Sequence, residues 1–315
     1  MWRKTLENKQ VFCLGHISVD VFIHKADLTD LRIGGCISSP NLSILGGGVA
    51  ANVAYWLGSL GTRVSMIGVI SDDPSGLLLR NDLEKVGVNC ILKISEQNPS
   101  ASILVIVEEN GERSFIINGD CLDELTLDDV PLDEFQKGDL LYTSAYNIEK
   151  SPIKDTIKEL LVFSKRNTTN KFEIMFNLAA FTTVENFKTR ILEDVLPYVD
   201  ILIGNYEEYC VLSSEAPLPS HFSLLTGIKT RFPNLKVVVL TDGEKGCFYS
   251  SKGENFHLPA NHITIVDSTG AGDGFTAGFI SGYINDLPIE DCVKKGTDLA
   301  GNICQGYGAR FKIKH

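Results

Sequence analysis

Ile265-Val266-Asp267-Ser268-Thr269-Gly270-Ala271-Gly272-Asp273-Gly274-Phe275 is the stretch on which the reading of this 315-residue chain turns. The apolar, β-branched run that leads into it, His262-Ile263-Thr264-Ile265-Val266, predicts a buried strand. Small residues then break the strand, and Phe275, Phe279, Ile280, Tyr283 and Ile284 recur at helical spacing. A glycine-rich turn from strand to helix exposes several backbone N–H groups at the positive end of the helix, which makes an anion site. Asp273 falls on the first turn of that helix. On the turn alone two readings of Asp273 stand side by side: an acidic helix cap, or a general base beside a phosphate-type anion that a carboxylate would otherwise repel. The turn is not a dinucleotide fingerprint, because the third glycine of G-x-G-x-x-G falls on Phe275, and no G-x-x-x-x-G-K-[ST] occurs in the chain.

A second glycine stretch opens a helix near the other end. Gly46-Gly47-Gly48-Val49-Ala50-Ala51-Asn52-Val53-Ala54 is followed by Leu57 and Leu60 at helical spacing. Its small residues permit either close approach of a ligand to the backbone or tight packing of a helix start on a sheet. Asn52 adds both a donor and an acceptor. Before it, Val11-Phe12-Cys13-Leu14-Gly15 predicts the first core strand, and Asp20, flanked by Val19, Val21 and Ile23, a strand that leaves the main sheet. Residues 26–45 are punctuated by Gly, Ser and Pro and predict a small β-flap. Residues 102–107 and 113–117 are β-like runs around Asn110-Gly111, a hairpin signal. Flap and hairpin are expected to join as a lid.

From Asp139 onward strands and helices alternate, with strands at 140–144, 173–177, 201–204, 237–241 and 247–250 and helices reaching Ser164 and Leu196. Such alternation predicts an α/β fold with a mostly parallel sheet covered on both faces, whose ligands sit at the carboxyl ends of the strands. Asp20, Gly47, Gly48, Asn205, Thr241 and Asp273 are expected just past strand ends on one rim. Asn205-Tyr206-Glu207-Glu208 has the pattern of a capping box. Thr241-Asp242-Gly243-Glu244-Lys245-Gly246 is either a turn between two strands or a loop whose amides line phosphates.

Composition excludes several classes. A net charge of −11 argues against nucleic acid, whose phosphates need clustered Lys and Arg. No segment approaches the ~20 apolar residues of a membrane span, and the polar start reads as no signal peptide. Eight cysteines lie scattered without a C-x-x-C pair and read as reduced thiols of a cytoplasmic protein.

Taken together, Gly47-Gly48 with Asn52 and Asp267-Ser268-Thr269-Gly270-Ala271-Gly272-Asp273 resemble the two signatures of the PfkB, or ribokinase-like, sugar and nucleoside kinases. Asp20, Asn205-x-x-Glu208 and Thr241-x-Gly243-x-x-Gly246 match that family in order and spacing, and the resemblance runs from about Val11 to Arg310. It implies a three-layer α/β/α ribokinase-like domain over 1–315 with a β-sheet lid from about 20–45 and 100–118. It implies that Asp273 is the base for a primary hydroxyl attacking the γ-phosphate of ATP, with the amides of Gly270, Ala271 and Gly272 as an anion hole. Asp20, Gly47, Gly48 and Asn52 would hold the acceptor; Asn205, Thr241, Gly243, Gly246 and Asn302 would border the nucleotide. Glu208 would organise Mg²⁺ through water, and Asp267 and Thr269 stand where many members hold a monovalent cation such as K⁺.

The resemblance implies a small-molecule acceptor, a sugar or, alternatively, a nucleoside. Val49 stands where ribokinases carry a lysine; the 47–54 phrasing is closer to fructokinases, whereas 176–181 and 195–202 look like the adenosine-kinase branch. A dinucleotide oxidoreductase lacks its fingerprint here, and a non-catalytic sugar or nucleotide sensor would be expected to have lost Asp273 or the glycines. An exposed lid edge allows a homodimer, and a monomer equally.

Overall fold

The structure is a computed structural model that describes residues 9–24, 41–107, 113–136, 139–166, 171–213 and 219–311. The chain lays down β1 (Val11–Leu14), β2 (Ser18–His24), β3 (Asn41–Gly47), α1 (Val49–Ser59), β4 (Val64–Ser71), α2 (Pro74–Glu84), β5 (Asn89–Ser95), β6 (Ser102–Val107) and β7 (Arg113–Asn118). Next come β8 (Leu140–Ser144), α3 (Ile153–Arg166), β9 (Glu173–Asn177), α4 (Phe181–Arg190), β10 (Ile201–Asn205), α5 (Tyr206–Ser213) and α6 (His221–Arg231). The last elements are β11 (Val237–Thr241), β12 (Cys247–Ser251), β13 (Glu254–Leu258), α7 (Ala271–Tyr283) and α8 (Ile289–Ile303).

Nine strands form the central sheet in the order β13-β12-β11-β10-β9-β8-β1-β4-β5, and only the β12 and β13 pairings are antiparallel. Strands such as Val237-Val238-Val239-Leu240 are apolar throughout because they are buried on both faces. Alternate residues feed two cores. Phe12 and Leu14 pack with α3 to α6, whereas Val11 and Cys13 pack with α1, α2, α7 and α8. The result is a three-layer α/β/α arrangement. A second sheet, β3-β2-β6-β7, stands apart from the first. There β6 and β7 pair antiparallel as the expected hairpin, with its turn at 108–112 outside the described residues. Of the flap expected at 26–45, only 41–45 is described, and it forms most of β3, antiparallel to β2.

The chain runs from β1 through the small sheet and α1 to β4 on one side of β1, and later returns to β8 on the other. That reversal opens a crevice at the carboxyl ends of the strands.

Three expectations need correction. Residues 262–266 are not a buried strand: Ile265 is 65% and Val266 45% exposed. The β12–β13 hairpin already completes that side of the sheet, so the β-branched run instead crosses from β13 to α7, tied to Cys304 O by the Val266 N–H (2.8 Å). Asp20 lies inside β2, paired with Leu45, not past a strand end. The helix expected to reach Leu196 ends at Arg190, and a wider turn over Ile191–Val195 and a tight one over Leu196–Tyr198 finish the path, the last with Pro197. The seven described cysteines are all free thiols, and Cys13, Cys121, Cys247, Cys292 and Cys304 are buried.

Candidate active site

The glycine turn starts α7 as the sequence required. Gly270 adopts φ 78°, and a Cβ there would lie 2.7 Å from Ala309, so both backbone and space demand glycine. Ala271 N–H donates back to Ser268 O (3.2 Å). The amides of Gly272 and Asp273, on the first turn, have no partner within the helix and sit at its positive end. Asp267 is the keystone of the turn. Its Oδ1 accepts from Thr269 N (2.9 Å) and Thr269 Oγ1 (2.7 Å), and its Oδ2 accepts from Gly308 N (2.9 Å).

Asp273 projects from α7 toward α1, where Asn52 Nδ2 donates to its Oδ2 (2.7 Å). Asn52 Oδ1 in turn accepts from Arg310 Nε (2.8 Å). The buried Arg310 also donates to Gly47 O (2.7 Å) and pairs with Asp82 (3.0 Å). Burial pushes the Asp273 carboxyl up to about 7, a rise that Asn52 and Arg310 oppose and Asp20 reinforces. Asp20 is likewise raised, to about 6, by burial, against Ser18 Oγ (2.9 Å) and the charge of Arg310. Side chains on the glycine stretch would collide with this group: a Cβ at Gly46 meets Arg310, and one at Gly47 the Asp20 carboxylate. Gly48, at φ 86°, lies against the His16 carbonyl, 2.5 Å from where a Cβ would stand. His16, just after β1, stacks on Tyr146 (centroids 5.9 Å apart), and burial pushes its imidazole down to about 4. Among the described residues, its Nε2 and Asn147 Oδ1 are buried without a partner.

Across a cavity of about 120 Å³, Asp273 and Gly272 share walls with Asn177, Ala179, Asn205, Glu208 and Thr241. Asn205 and Glu208 form a reciprocal capping box at the start of α5. Asn205 N and Nδ2 donate to the two Glu208 oxygens (2.8 and 3.0 Å), and Glu208 N donates to Asn205 Oδ1 (2.9 Å). Glu208 is also buried, with its carboxyl raised to about 7 by desolvation, and no basic side chain offsets that rise. A buried carboxylate without a counter-charge, bordering the cavity of the helix N-terminus, suits a hydrated divalent cation as well as a cap. Among the described residues, no group of three His, Cys, Asp or Glu side chains clusters as a metal site.

Asn205 and Thr241 end neighbouring strands in register. The turn after Thr241 joins antiparallel strands, with Gly243 and Gly246 both at positive φ. Asn302 is exposed at the end of α8, two residues before the carbonyl that ties the 262–266 run. The structure thus joins Asp20, Gly47, Asn52 and Asp273 in one group, sets Asn205, Glu208 and Thr241 across the cavity, and leaves Asn302 exposed at the end of α8, outside the lining of that cavity. Sequence reasoning missed Arg310, a lone cation in no motif, and the His16–Tyr146 pair, whose members are far apart in the chain.

A carboxylate at a helix N-terminus, with the Asn205–Glu208 box across a small cavity of a three-layer α/β/α fold, is an arrangement that suits phosphoryl transfer. The chain belongs to the pfkB family of carbohydrate kinases, whose model matches residues 8–315. It is therefore a kinase that phosphorylates an alcohol acceptor, and family membership implies ATP as the donor. The chain is 26% identical to the ribokinase of Dictyostelium discoideum over 94% of both chains. It is 24% identical to an uncharacterized sugar kinase of Archaeoglobus fulgidus, covering 81% of this chain and 96% of that one. Among solved structures, adenosine kinase from Sinorhizobium meliloti superposes with a TM-score of 0.83 at 25% identity over 96% of both chains. Among the described residues, no helix is long and apolar enough to cross a membrane.

Proposed function

We infer that this protein transfers the γ-phosphate of ATP to a primary hydroxymethyl group of a sugar, with Asp273 as the general base. The observation that carries the reading is the Asn52–Asp273 contact at the α7 N-terminus. It holds a carboxylate whose proton affinity lies near neutrality beside first-turn amides. A base must keep enough basicity to take a hydroxyl proton while staying partly ionised at working pH, and about 7 meets both demands. The turn of Gly270, Ala271 and Gly272 stabilises the charge that builds on the transferred group through the helix dipole and the Gly272 amide. The Ala271 amide, which donates to Ser268 O, would have to exchange that partner for the phosphate. Asp20, Gly47, Gly48 and Asn52 bind the acceptor hydroxyls. Thr241, Gly243, Gly246 and Asn302 border the nucleotide. Glu208 with Asn205 would hold a hydrated Mg²⁺, which would neutralise phosphate charge. A K⁺ ion near Asp267 and Thr269 would steady the turn.

The small sheet of β2, β3, β6 and β7 is read as a lid that closes over the acceptor and excludes water. Its exposed Leu42, Ile44 and Ile116 are the surface on which a homodimer would form. A nucleoside acceptor is the second reading, favoured by the likeness to the Sinorhizobium meliloti adenosine kinase. The deciding experiment is ADP release from Mg·ATP with ribose, fructose, keto-deoxy sugars, adenosine and other nucleosides, with and without K⁺. Turnover with sugars supports the first reading and turnover with nucleosides the second. Measurable ATP binding without turnover on any acceptor refutes both.

A further inference from the structure

Asn52 has an amide whose two ends differ only in hydrogen-bonding role. Nδ2 can only donate and Oδ1 can only accept. Arg310 Nε can only donate, so the end of Asn52 that faces it (2.8 Å) must be the oxygen. The other end, facing Asp273 (2.7 Å), is then necessarily the donor. Arg310 itself is fixed at three points: Asn52, the Gly47 carbonyl (2.7 Å) and the Asp82 carboxylate (3.0 Å), with the Tyr55 ring 5.5 Å from its guanidinium carbon. Gly46 leaves the space its fork occupies. A buried guanidinium that braces an acceptor-site strand end and aims a second residue at the base is more than a structural ion pair.

We propose that Arg310 is a positioning residue for phosphoryl transfer, locking the Asn52 amide so that it donates to Asp273 and joining that pair to Gly47 and, through Asp82, to α2. The inference rests on Asp273 being the base. Arg310 acts in two separable ways, through its fork on the orientation of Asn52 and through its charge on the proton affinity of Asp273. Other groups bear on Asp273 as well: Asp20 from β2, Tyr142 on β8, Tyr146 beyond it, and Glu208 across the cavity. Both tyrosines are pushed above their ordinary range, so Asp20 and Glu208 are the neighbours that titrate in the same window.

The test uses the full chain in wild type, Arg310→Gln, Arg310→Lys, Asp82→Asn and Asp273→Asn. Carboxyl ¹³C NMR titration follows the resonance that Asp273→Asn removes, and steady-state kinetics are run over pH with the best acceptor. Arg310→Gln should move the Asp273 midpoint above about 7 and lower kcat by about 10–100-fold, the scale of a mispositioned catalytic group, with KM for ATP within about twofold. Asp82→Asn frees the Arg310 charge and should move the midpoint down. Arg310→Lys keeps charge without the fork, so the midpoint should stay near wild type while kcat remains low. If Arg310→Gln does not fold, the Lys and Asp82 variants decide. An unmoved midpoint in folded Arg310→Gln, shifts of Arg310→Gln and Asp82→Asn in the same direction, or full kcat in Arg310→Lys would each overturn the proposal. Shifted midpoints in a protein that turns over no acceptor would overturn the kinase reading alone, because the NMR arm does not depend on catalysis.

Discussion

Asp273→Asn separates chemistry from stability at one position. The substitution keeps size and shape and removes the basic oxygen. Loss of a general base costs about 10²–10⁴-fold in turnover, or roughly 3–5 kcal/mol of transition-state stabilisation at about 1.36 kcal/mol per tenfold. The same change should stabilise the fold. The Asp273 carboxyl is raised from 3.8 to about 7, so the folded state holds its proton more tightly than the unfolded state does. Stability from this group therefore falls as pH climbs from 3.8 through about 7 and stays lowered above that. The shift of about three units bounds the penalty at about 4 kcal/mol. Asp273 is only half-buried, on the wall of the cavity, so relief of about 1–2 kcal/mol is expected. ADP release at saturating acceptor, ATP binding by calorimetry, and thermal melts at pH 5 and pH 8 report the separate consequences. The variant should bind ATP, lose turnover, and melt a few degrees higher than wild type at pH 8, with the difference shrinking at pH 5. Turnover within about threefold of wild type would remove Asp273 from the role of base. A lower melting temperature at pH 8 would refute the account of its burial.

The pH dependence of kcat/KM should show an acid limb near the Asp273 value of about 7, with activity rising as pH rises through it; a rate independent of pH between 5 and 8 contradicts a carboxylate base with that affinity. Glu208→Gln should raise the Mg²⁺ concentration for half-maximal rate by about tenfold, whereas an unchanged Mg²⁺ titration would confine Glu208 to its capping box with Asn205. Gly270→Ala meets both an unfavourable φ of 78° and Ala309 at 2.7 Å, and should destabilise by about 1–3 kcal/mol in a denaturant melt; wild-type stability would show that the turn relaxes freely.

Much of the site was legible because its residues are constrained locally. The Asn205–Glu208 box needs only a spacing of three residues, and its hydrogen bonds form as the pattern requires. Gly270 and Gly48 permit positive φ and close approach, and both positions use that freedom. The 262–266 run misled because β-branching marks residues that suit a pleated surface without saying whether a sheet has room for another strand. Arg310 was illegible for the opposite reason. Its partners Asn52, Gly47 and Asp82 lie more than 200 residues away, and no local pattern marks a lone arginine as buried.

By itself, the sequence determined the alternation that builds a parallel sheet with two helical layers, the two glycine turns that open α1 and α7, and the family to which they belong. Those follow from periodicity and backbone sterics, which act over a few residues. Only the tertiary structure decided that Asp273 meets Asn52, that Asn52 is oriented by Arg310, and that Glu208 faces the same cavity. Proton affinity depends on burial and on charges brought in from distant elements. A carboxyl near 7 is therefore a property of the packed crevice, not of an aspartate in a glycine-rich turn.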